Sequence, residues 1–168
     1  MTDQIVTSRL EIHPMRAEEW QDILEMFLDF ETSPEAIYDY PLPTTEEQAK
    51  EQVKVWSDSG YFYSVCRKGS HDVMGYLCFC GEQVREMGYS WKKKYQGQGY
   101  AQEAAQEMIA QMKQMGVDRV IAELALENVP SRKLVESLGF TQIGIKKHLF
   151  RKESGTEEVC GIFEKRLS

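Results

Sequence analysis

The stretch KKKYQGQGYAQEAAQEMIAQMKQMG, residues 92–116, runs from three lysines through a Gly-x-Gly turn directly into a helical repeat. Ala101, Ala104, Ala105, Met108, Ile109, Met112 and Met115 recur at spacings of three and four, which marks one apolar helix face, and Gly116 follows as its C-terminal cap. At the start of such a helix the first-turn N–H groups lack intrahelical partners, and the aligned peptide dipoles place roughly half a positive charge there. That end attracts an anion. Gly97 and Gly99 remove side chains where a phosphate would approach and permit unusual φ values, so the backbone can curl around the ligand. The stretch reads as a phosphate cradle.

Two common phosphate sites are excluded by what the stretch lacks. A dinucleotide fingerprint needs a third glycine three residues after the second, and position 102 is Gln. A P-loop needs Gly-Lys followed by Ser or Thr, and no such triplet occurs. Gln96-Gly97-Gln98-Gly99-Tyr100-Ala101 instead matches the Gln/Arg-x-x-Gly-x-Gly/Ala pattern with which GNAT acyltransferases cradle the pyrophosphate of coenzyme A. The resemblance extends to RLEIHPMRAEEW at 9–20, EMGYSW at 86–91, ALENVPSRKLVESLGF at 125–140 and GTEEVCGIFEKRL at 155–167. These occur in the order shown by the ribosomal-protein-alanine N-acetyltransferase (RimJ/RimL-like) branch, and the chain resembles that branch over nearly its whole length.

Composition agrees with one compact enzyme domain spanning 1–168, because 42% hydrophobic residues supply a sizeable core. No apolar run approaches the roughly 18 residues of a membrane span. The N-terminal MTDQIVTSRL lacks the charged-then-apolar form of a signal peptide, so a cytoplasmic protein is expected. Four cysteines are too sparse for a disulfide framework, and Cys66, Cys78 and Cys80 lie in strand-like runs as small hydrophobes. Cys78 and Cys80 share a strand face, but no Cys-x-x-Cys or nearby histidine completes a zinc site, and no metal is expected. His13, His71 and His148 are scattered and are assigned no catalytic role.

Periodicity predicts a strand at 5–13, helices at 17–30 and 45–57 (the second with Thr44 and Glu47 at capping-box spacing), and a meander of strands at 61–67, 73–80 and 84–91. After the cradle helix come a strand at 119–126, expected to run parallel to the strand ending at Trp91, a short helix at 131–138 and a strand pair at 140–145 and 159–167. The expected fold is α/β, with a GNAT-type mixed, mostly antiparallel central sheet flanked by helices.

The resemblance also implies where chemistry sits. Acetyl-CoA would lie in a gap between the EMGYSW strand and the IAELALE strand, along Gly88, Tyr89 and Trp91, over Gln96, Gly97, Gln98, Gly99, Tyr100 and Ala101, and against Asn128 and Ser131. An amine attacks the thioester directly, and a backbone N–H near Gly88 and Tyr89, turned out by a bulge at the glycine, would stabilise the developing negative charge. The alternative at Gly88 is relief of crowding in a buried strand. Because an alkyl ammonium must lose a proton first, a base is needed: Glu86 is the expected one, against the alternative of a solvated strand-edge carboxylate, and Glu123 inside VIAELAL is its competitor. Relatives often protonate the leaving thiolate with a tyrosine before the Gly-Phe pair, but Val135 stands there. Ser131 is the expected substitute acid, with the N-cap of the short helix as its other reading. Lys92, Lys93 and Lys94 either steer phosphates or form a solvated turn, and Tyr95 and Tyr100 pack beside the cradle.

From Ala17 to Ala49 there is no lysine or arginine, while ten acids are present in a chain of net charge −7. In the resembled family this region walls the acceptor side. Glu35, Tyr38 and Asp39, with Phe30 and Tyr40, are therefore expected to favour a cationic amine, either a peptide N-terminus or a small molecule. No nucleic-acid or membrane partner is expected, and the resemblance leaves room for a homodimer. The alternative function is a CoA-binding module without turnover, suggested by the missing tyrosine.

Overall fold

The computed structural model describes residues 4–168. Met1–Asp3, part of the stretch read against a signal peptide, lie outside the described residues. One eight-stranded sheet, β1 (Ile5–Val6), β2 (Leu10–Pro14), β3 (Phe62–Arg67), β4 (Val73–Gly81), β5 (Val84–Trp91), β6 (Arg119–Ala125), β7 (Thr141–His148) and β8 (Glu158–Arg166), has the order β1-β2-β3-β4-β5-β6-β8-β7. All neighbours pair antiparallel except β5 and β6, which are joined by a helical crossover and run parallel. The mixed, mostly antiparallel sheet expected from the sequence is therefore the one observed.

Helices α1 (Trp20–Glu31) and α2 (Glu46–Ser59) cover one face, burying Ile23, Met26, Phe27, Ala49 and Val53 against β3 and β4. On the other face, α3 (Tyr100–Gln114) and α4 (Val129–Ser137) pack Met108, Met112 and Val135 against Met87, Trp91, Val120, Ala122 and Leu124. Met108 and Met112 are wholly buried, each worth about 1.5–3 kcal/mol of transfer free energy. Strand alternation then fixes the opposite set: Glu86, Gly88 and Ser90 on β5, with Ile121 and Glu123 on β6, face the α1/α2 side.

Several local expectations need correction. The strand predicted at 5–13 is a hairpin, because Thr7 N–H donates to Leu10 O and the Thr7 hydroxyl is taken by Glu103. The cap of α2 is Thr45, whose hydroxyl accepts from Gln48 N–H at 3.3 Å, and not Thr44. The cap of α4 is Asn128, so Ser131 lies in the first turn and does not cap it. Val129-Pro130 begins the helix early because a proline suits the first turn, where its missing N–H costs nothing. β7 runs on to His148, three residues past the predicted end. There is no bulge at Gly88: β4 and β5 stay in register from Gly75↔Trp91 to Gly81↔Arg85. Gly88 is small because a Cβ there would come within 2.8 Å of Cys78 Sγ, so crowding is the reason for the glycine.

Candidate functional site

β5 and β6 pair only from Val84↔Arg119 to Glu86↔Ile121 and then separate, although β5 continues to Trp91 and β6 to Ala125. The gap opens into a cleft of about 790 Å³ lined by β5, the 95–102 turn, β6, the start of α4, the 30–40 connection and the end of β7. Lys92 N–H donates to Met74 O on the β4 side, and backbone alternation accordingly turns the N–H of Tyr89 the other way, into the gap. Among the described residues that group has no acceptor, which leaves a donor where an anionic oxygen could be held, without the bulge expected from the sequence.

At one end the turn before α3 has Gly97 at φ +74° and Gly99 at φ +82°, both in the left-handed region that favours glycine. Gly99 is the N-cap and offers no side-chain acceptor, so the first-turn N–H groups of α3 remain open to a ligand. The turn is held from outside. Gln96 Nε2 donates to Trp91 O at 3.0 Å and Gln98 Nε2 to Lys94 O at 3.0 Å. Arg9 donates from Nη1 to Gln98 O at 3.0 Å and from Nε to Glu103 Oε1 at 2.7 Å, and its guanidinium lies 4.4 Å from the Tyr100 ring centroid. Arg9, in the β1–β2 turn, thus braces the cradle together with Glu103 on α3, a role invisible from sequence spacing because the two are 94 residues apart.

Of the residues expected to touch acetyl-CoA, Gly88, Tyr89, Trp91, Gln96, Gly97, Gly99, Tyr100, Ala101, Asn128 and Ser131 all line the cleft. Gln98 does not, its side chain and carbonyl being spent on the turn itself. Nor do the three lysines. Lys92 is buried in an ion pair with Asp22 at 2.6 Å and Glu25 at 3.4 Å, and Lys94 lies 3.9 Å from Glu25. Lys133, on α4, is the lysine that lines the cleft among the described residues. Asn128 Oδ1 is buried without a hydrogen-bond partner. A buried orphan acceptor on the wall fits an amide-bearing ligand such as the pantetheine arm of coenzyme A. Burial disfavours ionisation of the Tyr89 phenol, and the nearby Ser131 hydroxyl acts against that effect.

The other end is built from distant segments. Glu35, Tyr38, Asp39 and Tyr40 come from the 30–40 connection, Glu86 from β5, Glu123 from β6, and His148 and Phe150 from the end of β7 and beyond. Arg151 ties this end shut by a two-pronged pair to Glu31 at 2.8 and 2.9 Å and by Nε donating to Asp39 O at 2.9 Å. The Arg151 hydrogen bonds hold Glu31 below the usual carboxylate range against the opposing effect of burial. Glu86 is exposed, and its carboxylate makes no hydrogen bond or ion pair among the described residues. Glu123 has partners: its Oε1 lies 2.5 Å from His148 Nε2 and 3.9 Å from Lys146 Nζ. His148, set aside on sequence grounds, is therefore in the cleft. No local signal marks it, because Lys146 and Lys147 break the apolar alternation after Ile145 and only the pairing of β7 on β8 brings His148 to the cleft.

A splayed parallel strand pair beside a glycine-rich helix N-terminus defines a coenzyme A-dependent acyltransferase. Residues 9–141 match the acetyltransferase (GNAT) domain family, and the chain belongs to that family as an N-acetyltransferase. It is 31% identical over 156 residues, 88% of each chain, to YnaD, an uncharacterised N-acetyltransferase of Bacillus subtilis. In structure it is similar to a GNAT-family acetyltransferase of Bacillus anthracis, with a TM-score of 0.82 at 24% identity over 98% of both chains. It is likewise similar to RimL, a ribosomal L7/L12 α-N-protein acetyltransferase in complex with coenzyme A, with a TM-score of 0.82 at 18% identity over 96% of both chains.

Proposed function

We propose that this acetyltransferase moves the acetyl group of acetyl-CoA to a primary amine, a peptide or protein N-terminus or a small cationic amine, by direct attack with both substrates bound. The observation that carries this reading is the gap between β5 and β6: it opens beside the α3 N-terminus at one end and beside carboxylates at the other. Gly97, Gly99 and the first turn of α3 hold the pyrophosphate, and Asn128 receives an amide N–H of the pantetheine arm. Bound acetyl-CoA supplies the thioester carbonyl and the sulfur leaving group. The Tyr89 N–H donates to the oxygen on which charge develops as the amine adds. An ammonium must first lose one proton, and two carboxylates, Glu86 and Glu123, face the space where it arrives. A second proton is lost as the amide forms, and Ser131, on the cleft wall with Tyr89, gives its own to the departing sulfur and recovers one in turn.

Glu35, Asp39, Glu86 and Glu123 line the cleft with Lys133 as the opposing lysine, which favours an ammonium over a neutral or anionic acceptor. The RimL likeness supports a peptide N-terminus as one acceptor class. No helix among the described residues is long and apolar enough to cross a membrane, and we place the reaction in the cytoplasm. Incubation with acetyl-CoA and a panel of amines, with free thiol and acetylated product both measured, tests this function. Amine-dependent thiol release is expected. Tight coenzyme binding with no transfer to peptide or small amines would return the protein to the alternative of a CoA-binding regulatory module.

A further inference from the structure

Beyond the two ladder-paired strands, Gly88 and Glu123 stand at matching positions on the arms of the gap, each two residues past the last parallel pair Glu86↔Ile121 and each on the α1/α2 face. Glu123 is therefore across the gap from the point where the amine meets the thioester. Its Oε1 lies 2.5 Å from His148 Nε2, and both side chains are about four-fifths buried, with exposures of 22% and 19%. A carboxylate only accepts, so Nε2 carries the proton and Nδ1 is left as the acceptor. Tyr40 OH lies 3.3 Å from that Nδ1 and so donates to it. Phe150 stacks on the imidazole at 5.1 Å and meets the Tyr40 ring edge-on at 4.9 Å, which fixes the ring's orientation. The result is a continuous line, Tyr40 hydroxyl to His148 to Glu123, whose members come from three separate segments and all line the cleft.

We propose that the acceptor ammonium loses its proton to His148 by way of the Tyr40 hydroxyl, with Glu123 orienting the imidazole and balancing the imidazolium. This rests on the acetyl-transfer reading above. The step balances: the ammonium N–H bond breaks, its proton joins the Tyr40 oxygen, the former Tyr40 proton joins Nδ1, and the free amine is left with its lone pair. An imidazole with a carboxylate behind it is a base suited to neutral pH. Glu86, exposed and without an orienting partner, lacks that arrangement. The groups that set the imidazole's protonation are Glu123 on β6, Tyr40 and Asp39 on the connection, Glu158 opposite it on β8, and Lys146 and Lys147 on its own strand.

The test is the pH profile of kcat/KM for the wild-type protein and for His148→Gln, Glu123→Gln, Tyr40→Phe and Glu86→Gln, with coenzyme A affinity measured for each to establish folding. His148→Gln is expected to lose about 100-fold near neutral pH, to lose the limb that reports imidazole titration, and to recover at high pH where the amine is already free. Glu123→Gln should move that limb to lower pH, since a neutral partner stabilises imidazolium less, whereas Glu86→Gln, whatever it does to KM for a cationic amine, should leave the limb at its wild-type pH. Added imidazole should restore part of the rate of His148→Ala. A wild-type profile in His148→Gln, or a lowered rate in His148→Ala without rescue and with the limb intact, would reduce His148 to packing and overturn the relay alone. A wild-type protein that binds coenzyme A but acetylates no amine would instead remove the transfer reading beneath it.

Discussion

The two ends of the cleft are made differently. The donor end is backbone: bare N–H groups at the start of α3, two left-handed glycines, and side chains such as Gln96 and Gln98 turned back to hold the turn. The acceptor end is side chains, brought together from residues 35–40, 86, 123 and 148–150. A backbone site binds a group common to every acyl-CoA and tolerates little change at its glycines. A side-chain site can be rewritten one residue at a time, and under the proposed function acceptor choice resides there.

The sharpest break in that comparison is Gly99→Asp. A non-glycine residue at φ +82° is strained, its Cβ would sit 3.3 Å from Arg9 Nη2, and the carboxylate would add negative charge at the turn read as the pyrophosphate site. Coenzyme A affinity should fall by about 30-fold or more, since close charge and strain each contribute more than about 1 kcal/mol. Calorimetry on a variant with wild-type circular dichroism decides it, and unchanged affinity would end the pyrophosphate assignment.

Glu31→Gln probes the clamp that shapes the acceptor end. Replacing one partner of the Arg151 fork should cost about 1.5–3 kcal/mol at pH 7. Because folding lowers the Glu31 pKa, its contribution is present above the unfolded value near 4.5 and is lost as pH falls through the lower folded value. The stability difference between wild type and variant, read by urea unfolding, should therefore shrink below about pH 4. A difference that grows on acidification would contradict the sign. At the donor end, Ser131→Ala should lower kcat about 10-fold with little change in coenzyme affinity, and an unaltered kcat in single-turnover measurements would leave sulfur protonation to water.

What the sequence disclosed follows the same division. The cradle was legible because its parts are neighbours: Gly97, Gly99 and the apolar face of α3 lie within twenty residues and obey local rules of turn and helix. The β3–β4–β5 meander and the parallel β5–β6 pair were legible for the same reason, as strand periodicity and a helical crossover. Lys92 was misread because its partners, Asp22 and Glu25, lie some seventy residues away on α1. His148 was missed because only the register of β7 on β8 carries it to Glu123. Arg9, Glu103 and Arg151 act likewise through contacts that chain distance hides.

The smallest effect concerns the acidic connection, and its size follows from how many of its charges are already spent. Of the ten acids between Ala17 and Ala49, Glu19 is paired with His13, Asp22 and Glu25 with Lys92, Glu31 with Arg151 and Glu46 with Lys50, while Asp29 accepts from Lys93 N–H. Glu35 and Asp39 are the members of that set that line the cleft. Glu35→Gln with Asp39→Asn should therefore raise KM for a polycationic amine only about 3-fold to 10-fold, since exposed charges attract by about 1 kcal/mol or less. KM for acetyl-CoA should stay unchanged, because the backbone end is untouched. Added salt should erase the difference, as charges separated by more than about 10 Å are screened at 0.1 M. Equal competition between neutral and polycationic amines at low salt would show that shape and proton transfer, and not this charge, select the acceptor.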